Sequence, residues 1–591
     1  MSRALARALR ATGGGAFGLL LIAAGACGQD RNEFVQRPAV FETDASLDAP
    51  VCGVQCSVDG RSVVDTCTNE VVETCPPELA CGAARCQEPC AAATADRSSN
   101  GCEFYLQPPF YAGVFAQSCF AAFVVNTTAQ PLELSLEHEG KALDLSKSLY
   151  RTTPGSASLL PLEGPIPAGE SAVLFVLDRT GLVRASDSVN ENHYIACPAG
   201  VVPALRADFG GGTRINTSLR LEANVPASVV AVYPWGGAAS FMPSATLLYP
   251  VPNWGKEHVI VNAWEAAQSG VPAAQVVASE DDTEVTIDPT EDLQNGIGVA
   301  GTIARAPVTY HLDKGQVLQL VQGRELTGSF VTSTKPTTVF GGHACMNIPA
   351  TKAACEAANQ QLPSFEQWGR EYVGVGYRPR TNSEGETMYY RIVAARDGTR
   401  LDYDPAVPPG APVAMSAGES VIFTSGVGEP FVVRTQDAEH PVYLAGYMSA
   451  GDPLGGIGDP EFVNVVPAGQ YLSSYSFYAD PTYAETSLVV VRQKTRKGEF
   501  EPVWLECAGD LTDFKPIGTR GEYEFTRVDL TRARGPGAKF GDKVCQSGLQ
   551  RMRSAGPFTA TIWGWDSYAS YAYPGGMAQR QLVTTPLVPV Q

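Results

Sequence analysis

Histidine is scarce in this sequence, and the motifs of several common enzyme classes are missing. The chain has six histidines, no two of them at the spacing of metal ligands, and it contains no His-Glu-x-x-His motif. There is no P-loop and no nucleotide-binding glycine pattern, and the three glycines at 210–212 are typical of a loop. The sequence therefore predicts no cofactor, no metal site and no catalytic residues.

Positive charge is also in short supply, and long apolar runs are absent beyond the N-terminus. Lys and Arg total 43 against 62 Asp and Glu, which gives a formal net charge of −19, and an acidic surface repels nucleic acid. After the first 26 residues no apolar run approaches the roughly 18 residues of a transmembrane helix. The 59 glycines, 43 prolines, 22 tyrosines and 23 phenylalanines favour strands and turns. We therefore expect an all-β chain that does not bind nucleic acid.

The N-terminus has the pattern of a secretory signal over residues 1–26. Basic residues precede a short apolar run, which ends in small residues before Cys27. This ending resembles the lipobox of bacterial lipoproteins, with Ala24 where leucine is usual. The resemblance implies lipidation of Cys27 and a protein tethered outside the cytoplasm, and Gly28 in place of a retention aspartate favours the outer membrane. Ordinary cleavage with free secretion is the alternative.

The fifteen cysteines suit an oxidising compartment. Apart from Cys27 they form a dense block and a dispersed set, each even in number. The dense block is Cys52, Cys56, Cys67, Cys75, Cys81, Cys86, Cys90 and Cys102, and the dispersed set is Cys119, Cys197, Cys345, Cys355, Cys507 and Cys545. We expect all fourteen to form disulfides.

The dense block defines a module at residues 52–102, preceded by a polar, aperiodic segment at 27–51 that we expect to be a flexible stalk. The module has few large apolar side chains and needs covalent staples, so four disulfides are expected. Zinc is the competing interpretation, because two pairs of these cysteines have ligand-like spacing. The connectivity stays open, since eight cysteines allow 105 pairings.

Two similar segments predict an internal repeat. Residues 276–289 and 392–405 share an apolar start, an Asp-Asp or Asp-Gly turn and an Asp-Pro ending, a pattern typical of a β-hairpin. A proline followed by an apolar strand recurs at intervals of about 110 residues, at Pro226, Pro336, Pro441 and Pro557. Short turns containing Ala-Gly-Glu or Lys-Gly-Gln recur in the middle of the units.

We therefore predict tandem β-sandwich-like repeats behind the disulfide-rich module, because about 110 residues with some seven strands is the size of a β-sandwich domain. The predicted repeats are residues 103–249, 250–362, 363–466 and 467–580, followed by a tail at 581–591. A β-propeller with two blades per unit is the alternative. The dispersed cysteines fit this division, with a pair in the first repeat, a pair in the fourth, and Cys345 and Cys355 closing a loop near the second junction.

The second junction also carries a family resemblance. Gly342-His343-Ala344-Cys345 is followed by Ile348-Pro349, Cys355, Gln361-Leu362-Pro363 and Trp368-Gly369. This order resembles the N-terminal domain of the IgG Fc-binding protein family, over roughly residues 200–580, and the segment 570–576 resembles the end of that domain. The resemblance implies adhesion and extracellular binding, but it does not establish binding to immunoglobulin. With the lipobox, it points to bacterial surface lipoproteins of the kind abundant in myxobacteria.

Four local features have both a functional and a structural interpretation. His343 lies beside Cys345, but a disulfide there would remove the thiol, so we expect a structural histidine. Residues 414–418 lack the first glycine of a Gly-x-Ser-x-Gly elbow and match the repeated turn. The acidic residues of 280–292 could bind calcium, although a solvated turn is favoured because the next repeat carries arginines there. The aromatic residues of 563–573 could form a binding surface, and we expect them in the core.

The favoured function is a non-enzymatic, lipid-anchored surface protein whose tandem units bind an extracellular protein or glycan over an extended face. It would meet the membrane through its lipid only. One alternative is a secreted hydrolase that acts on carbohydrate, since such enzymes need only two carboxylates, which can be distant in sequence. The other is a structural envelope component with no discrete ligand.

Overall fold

Strands dominate the computed structural model of the chain, and the prediction of an all-β fold is confirmed. The structure describes residues 53–57, 60–65, 68, 70–109, 111, 117–181, 194–240, 242–267, 270–381 and 383–587. The signal, Cys27, the stalk, Cys52 and Cys67 lie outside the described residues. Among the residues described, no helix is long and apolar enough to cross a membrane.

The N-terminal module consists of short strands and one helix held by disulfides. Its elements are β1 (Val54–Cys56), β2 (Ser62–Asp65), β3 (Val71–Thr74), β4 (Ala80–Gly82), β5 (Arg85–Gln87) and α1 (Pro89–Asp96). Its described disulfides are Cys56–Cys81, Cys75–Cys86 and Cys90–Cys102. The buried hydrophobic cluster here contains only Val63 and two of the cysteines. This small core explains why the module depends on covalent links.

The rest of the chain forms four groups of strands. The first has β6 (Gly101–Leu106), β7 (Phe120–Asn126), β8 (Leu134–His138), β9 (Lys141–Ala142), β10 (Leu149–Arg151), β11 (Leu160–Pro161), β12 (Ser171–Asp178), β13 (Leu205–Arg206), β14 (Arg214–Thr217), β15 (Leu219–Tyr233) and β16 (Ser244–Leu247). The second has β17 (Gly255–Val259), β18 (Pro272–Ala278), β19 (Thr283–Asp288), β20 (Val308–Leu312), β21 (Gln316–Val321), β22 (Phe330–Met346) and β23 (Glu356–Leu362). Strand β14 joins the sheet of the second group, at the edge of β21.

The third group has β24 (Glu371–Gly374), β25 (Thr387–Ala394), β26 (Thr399–Asp404), β27 (Ala414–Met415), β28 (Ser420–Gly426), β29 (Phe431–Thr435), β30 (Val442–Met448) and β31 (Glu461–Asn464). The fourth has β32 (Leu472–Ala479), β33 (Glu485–Gln493), β34 (Val503–Leu505), β35 (Gly509–Asp510), β36 (Lys515–Ile517), β37 (Tyr523–Arg532), β38 (Gly535–Pro536), β39 (Lys539–Phe540), β40 (Lys543–Val544), β41 (Gly548–Asp566) and β42 (Ala569–Pro574).

Each group is a β-sandwich, and the third shows the two layers as separate sheets. One sheet has the order β24-β29-β26-β27 and the other β28-β25-β30-β31. A shared hydrophobic core includes Tyr372 and Leu401 from the first sheet and Ile392 and Leu444 from the second. In the other groups one long strand (β15, β22 or β41) pairs in both layers. The prediction of tandem β-sandwich-like repeats is confirmed.

The recurring prolines mark the point where this strand passes from one layer to the other. In β22, residues up to Ser333 pair with β19 and residues from Thr337 pair with β18, and Pro336 lies between them. Pro226, Pro441 and Pro557 occupy the corresponding interruptions of β15, β29–β30 and β41. Proline has no N–H to donate, so it is tolerated where the ladder is broken.

The hairpin expected at 276–289 and at 392–405 is wrong, although the two segments do share one structure. Strands β18 and β19 pair with different parts of β22 rather than with each other, and β25 and β26 belong to separate sheets. The turn between them carries the chain across the sandwich. Apolar and polar residues alternate on both sides of a turn within one sheet and of a turn between two sheets. The pattern alone therefore does not distinguish a hairpin from a crossing.

The repeat is instead reproduced in the bonds of this crossing turn. The backbone N–H of Lys314 donates to the Asp281 carboxylate at 3.1 Å. One repeat later, the N–H of Ala417 donates to the Asp397 carboxylate at 2.9 Å. The hydroxyls of Thr283 and Thr399 each donate to the carbonyl of the third residue before them, at 2.7 and 2.8 Å. These bonds explain why Asp and Thr recur at these positions.

The four sandwiches close into a ring around their last strands. Strand β16 lies against both β23 and β42, and β31 lies against the same two strands. Contacts between them use polar side chains, because the Ser244 and Thr246 hydroxyls accept from the backbone N–H groups of Asn359 and Gln361 at 3.1 and 2.9 Å. We refer to this set of four strands as the axis of the ring.

Side-chain amides connect successive sandwiches at their junctions. The Asn253 amide donates to the carbonyl of Ser98 at 2.9 Å, and the Gln367 amide donates to the carbonyl of Asn253 at 2.8 Å. The Gln470 amide in turn donates to the carbonyl of Gln367 at 3.1 Å. Each amide follows the last strand of one sandwich, so the same bond is made once per repeat.

The C-terminal segment completes this circuit. The N–H of Ser99 donates to the carbonyl of Met577 at 2.8 Å, and the Arg97 guanidinium donates to the carbonyl of Gln579 at 2.9 Å. Farther on, the predicted tail packs Val583 and Leu587 into the core of the second and third sandwiches. The tail is therefore part of the fold through its last described residue.

Candidate functional site

A pocket of about 300 Å³ opens between the first two sandwiches. Its lining residues are Tyr105, Glu137, Glu139, Gly140, Thr217, Ser218, Arg220, Asp313, Lys314, Gly315 and Gln316. The first sandwich contributes β6, the β8–β9 hairpin and the start of β15, and the second contributes the turn between β20 and β21. The pocket thus exists only because these two sandwiches pack together.

Arg220 organises the charge on the first-sandwich side. Its Nε donates to Glu103 Oε1 at 2.6 Å, and its other nitrogens lie 2.5 Å from a Glu222 oxygen and 3.9 Å from a Glu137 oxygen. The Arg220 side chain is only 18% exposed, so it is held in one position. One cation therefore faces three carboxylates, which leaves this wall acidic.

Tyr105 supplies an aromatic wall with an unused hydroxyl. The side chain is buried, and its ring centroid lies 5.3 Å from that of Trp254. Its hydroxyl has no hydrogen-bond partner in the structure. Burial raises the pKa of Tyr105 above its ordinary value, and the nearby carboxylate of Glu103 raises it further. The hydroxyl is therefore neutral, and it is enclosed by protein, since Tyr105 is only 2% exposed.

The turn from the second sandwich is tied to the same wall. Ser218 donates from its N–H and from its hydroxyl to the carbonyl of Gly315, at 2.9 and 2.8 Å. Gly315 has a φ of +75°, which favours glycine, and a Cβ there would lie 3.5 Å from the Tyr105 ring. The neighbouring Lys314 is exposed at the rim. These bonds fix the width of the pocket.

Taken together, the pocket offers a small apolar surface, polar side chains and charges of both signs. An apolar surface with a few polar groups that set orientation is typical of small-ligand sites. Sugars and polar peptide side chains present matching hydroxyl, amide and charged groups. The pocket is therefore suited to binding a polar ligand.

His343 and the disulfides have structural surroundings. The Cys345 N–H donates to His343 Nδ1 at 3.0 Å, and His343 Nε2 lies 3.1 Å from the carbonyl of Glu265. Burial lowers the pKa of His343 to about 4, so the ring is neutral. Cys345 is bonded to Cys355. The remaining described disulfides are Cys119–Cys197 and Cys507–Cys545.

The acidic residues of 280–292 and the segment 414–418 also have structural surroundings. The Asp281 carboxylate accepts from the N–H of Lys314 within the crossing turn described above. Residues 416–419 form the equivalent turn one repeat later, where Gly418 donates to the carbonyl of Ala394 at 2.9 Å. Among the residues that the structure describes, no group of three or more His, Cys, Asp or Glu side chains is arranged to hold a metal ion.

Four of the five aromatic residues at 563–573 belong to the core, and the fifth, Tyr568, is partly exposed. Trp563, Trp565, Tyr571 and Tyr573 are all buried. The ring of Trp563 lies 5.0 Å from that of Tyr377 in the third sandwich. The core interpretation is therefore the one that the structure supports.

The chain matches one family model over residues 244–564, more than half of its length, and that model is described as IgGFc binding protein. The chain belongs to the IgGFc-binding protein family. The human IgGFc-binding protein is 26% identical to it over 263 residues, which is 43% of this chain and 4% of the human protein. The chain therefore corresponds to a small part of that relative.

The family match begins at β16 and ends within β41, so it takes in the second and third sandwiches entirely. The segment 570–576, whose resemblance was noted in the sequence, lies beyond the match. In the pocket, Asp313 to Gln316 lie inside the match, whereas Tyr105, Glu137 and Arg220 lie outside it. Membership of the IgGFc-binding family and the disulfides together indicate an extracellular protein.

No direct signal for this pocket is present in the sequence. Among its residues, only Asp313 to Gln316 stood out, as one of the repeated turns. Tyr105, Glu137 and Arg220 are separated from that turn by roughly 90 to 210 positions and occur in unremarkable strand patterns. Their meeting depends on how two sandwiches pack, which local periodicity does not encode.

Proposed function

We propose that this member of the IgGFc-binding family is a non-enzymatic, lipid-anchored surface protein that binds an extracellular glycan or protein. The observation that carries the proposal is the family match across residues 244–564. The human relative is named for binding the Fc part of IgG, and we transfer from it only the general role of extracellular binding. The pocket between the first two sandwiches is the proposed ligand site.

The chemistry of the pocket favours a hydroxylated ligand. Tyr105 contributes part of the apolar lining, and Thr217 and Gln316 contribute partly exposed polar side chains. Glu137, Glu139 and Asp313 offer acceptors for hydroxyl groups, while Lys314 offers a donor at the rim. A glycan is accordingly the ligand class to test first.

We further propose that the N-terminus attaches the protein to the outer membrane. The signal ends before Cys27, and this cysteine carries lipid. The stalk at 27–51 holds the disulfide-rich module and the ring away from the membrane. The repeat limits at 103–249, 250–362, 363–466 and 467–580 remain part of this proposal as domain boundaries. The ring geometry supports a single rigid head on this stalk.

The binding proposal is tested with the chain from residue 28 onward, which contains every described residue. This protein is applied to a glycan array and to cell-surface extracts beside the double variant Lys314→Ala/Glu139→Ala. Both side chains are exposed at the pocket, so folding should be unaffected. We expect binding to weaken by about tenfold, which corresponds to about 1.4 kcal/mol.

The matched control is Lys497→Ala/Glu499→Ala, which removes the same two side-chain types from an exposed turn of the fourth sandwich. This control should bind like the unmodified protein. Equal binding by all three proteins would place the ligand site elsewhere, and the absence of any retained glycan or protein would count against a binding function.

The anchor is tested separately in cells that express the full chain. Metabolic labelling with a fatty-acid analogue should mark the protein, and Cys27→Ser should abolish the label and release the protein into the medium. Release of both forms would favour ordinary secretion.

A further inference from the structure

The four strands of the axis begin at equivalent positions, and two of these positions carry glutamate. The first residues of β16, β23, β31 and β42 are Ser244, Glu356, Glu461 and Ala569, and each pairs with the end of the preceding long strand. Glu356 and Glu461 therefore lie at the same end of the axis, in the second and third sandwiches. The proposed ligand pocket lies elsewhere, between β6 and the β20–β21 turn.

Both glutamates are fully buried and poorly satisfied. Their exposed fraction is 0%. No side chain donates a hydrogen bond to either carboxylate among the described residues. The N–H of Phe462 donates to Glu461 at 2.7 Å, and the backbone N–H groups of Ser570 and Ala572 interact with Glu356 and Glu461 respectively. Gln360, on the same strand as Glu356, also has an unpartnered side-chain oxygen and is 0% exposed. This is an unusual concentration of unused acceptors.

The neighbouring ionisable groups are mostly acidic. Besides burial, the charges of Asp459 and Glu461 raise the pKa of Glu356. The pKa of Tyr483 is raised in the same way by Asp480, Glu356, Tyr571 and Glu461, so these groups form one cluster. Besides burial, Arg380 lowers the pKa of Asp459 and Asp452 raises it. Asp566 forms an ion pair with Arg534 at 2.7 Å. The backbone hydrogen bonds from Ser570 and Ala572 lower the pKa of Glu356 and Glu461, and burial outweighs them.

Arg380, the cation that acts on Asp459, is already engaged by other groups. Nε of Arg380 donates to Glu386 at 2.7 Å, and its Nη1 donates to the carbonyls of Ser449 and Ile457, each at 2.9 Å. No ion pair joins Arg380 to either axial glutamate among the described residues. The cluster therefore has more buried carboxyl groups than cations to offset them.

A buried carboxylate without a partner is strongly unfavourable, and it is relieved by a counter-ion, a metal or a proton. Neither glutamate is paired with a counter-ion. The described residues also contain no group of three or more His, Cys, Asp or Glu side chains that could hold a metal ion. Burial raises the pKa of Glu356 well above its ordinary value, and Asp459 and Glu461 raise it further. Burial likewise raises the pKa of Glu461.

We propose that Glu356 and Glu461 form a proton-binding site at the axis of the ring, and that loss of these protons loosens the packing of the sandwiches. With protons bound, both side chains are neutral and can donate a hydrogen bond. Without them, two like charges face each other in the interior, together with Asp459.

The direction of the pH dependence follows from linkage. A carboxyl group with a raised pKa in the folded state holds its proton there, whereas the unfolded chain releases it above about pH 4.3. The stabilising effect is fully present below that pH and is lost as pH rises toward the folded-state pKa. Each such group changes the unfolding equilibrium constant by about tenfold per pH unit within this window.

The experiment measures urea unfolding of the chain from residue 28 onward at pH 5, 6, 7 and 8. For the unmodified protein we expect the unfolding constant to rise steeply with pH. Glu356→Gln/Glu461→Gln, which keeps the shape of the neutral acid, should reduce that rise by about 100-fold per pH unit and be the more stable protein at pH 8. Glu439→Gln, at an exposed glutamate, is the control and should change nothing.

Three further outcomes decide the proposal. Unfolding the unmodified protein at pH 7 in weak buffer should release about two more protons than unfolding the double variant, and an equal release would overturn it. If the double variant does not fold, a net release of protons by the unmodified protein must still be seen. Stabilisation of the unmodified protein by millimolar calcium or magnesium at pH 8, absent in the variant, would assign the site to a cation instead.

Discussion

Two buried sites between the sandwiches contain charged side chains, and they differ in how the charge is offset. Between the third and fourth sandwiches, Arg434 lies 2.7 Å from Glu371 and also contacts Glu522. Arg434 and Glu371 are each 1% exposed, and the Tyr523 hydroxyl donates to Glu371 at 2.6 Å. At the axis, Glu356 and Glu461 are as deeply buried but lack a cation.

Burial alone does not determine whether a carboxyl group is offset by a neighbouring cation or by a bound proton. The Arg434 guanidinium and the Tyr523 hydroxyl both contact Glu371, so this site is an ion pair held by a further hydrogen bond. At the axis, burial and like charges disfavour the ionised form, and a proton takes the place of the guanidinium. The stability that the axial site contributes should depend on pH near neutrality.

The largest effect should come from removing Arg434, the cation of the site between the third and fourth sandwiches. Arg434→Ala leaves the Glu371 carboxylate buried without its cation, and removal of one partner from a buried pair typically costs about 3–5 kcal/mol of stability. Urea unfolding at pH 7 measures it. Arg324→Ala is the control, because its pair with Glu291 is largely exposed and should contribute less than about 1 kcal/mol. Similar losses in the two variants would contradict the comparison.

A smaller effect is expected at Asp480, a buried member of the axial cluster. Burial raises its pKa to about 6, so its contribution to stability is present below about pH 3.9 and is lost as pH rises through 6. The loss amounts to about 3 kcal/mol. Asp480→Asn should therefore flatten the decline in stability between pH 4 and 6, as followed by urea unfolding. An unchanged slope would show that Asp480 is ionised in the folded protein.

The smallest effect is expected at the outer partner of Arg434. Glu522 is 31% exposed, so water screens its interaction, and Arg434 keeps Glu371 when Glu522 is neutralised. Glu522→Gln should lower stability by less than about 1 kcal/mol, measured under the same conditions as Arg434→Ala. A loss as large as that of Arg434→Ala would mean that Glu522, and not Glu371, is the main partner.

The fold class and the internal repeat were predictable from sequence because their signals are local. Strands of alternating residues, the Asp and Thr of the crossing turn and the glycine of each mid-unit turn lie within a few positions of one another. The hairpin prediction failed at Asp281 and Asp397 because the same local pattern serves a turn within one sheet and a turn between two sheets.

The candidate site was not predictable in the same way. Tyr105 and Lys314 meet only because the first two sandwiches pack, and the axial contact between Ser244 and Asn359 joins residues 115 positions apart. Such contacts are formed by side chains whose own surroundings show ordinary strand patterning. Nothing in the spacing of Glu356 and Glu461 indicates that both point to one interior.

By itself, the sequence determined the all-β character, the disulfide-rich module and the approximate period of the repeat, because alternation, turn residues and cysteine density act over short stretches of chain. Tertiary structure alone decided that the four sandwiches form a ring, that a pocket opens between two of them and that two glutamates share an interior without a cation. These features arise from packing between distant segments, whose energies depend on burial and on which charges are brought together.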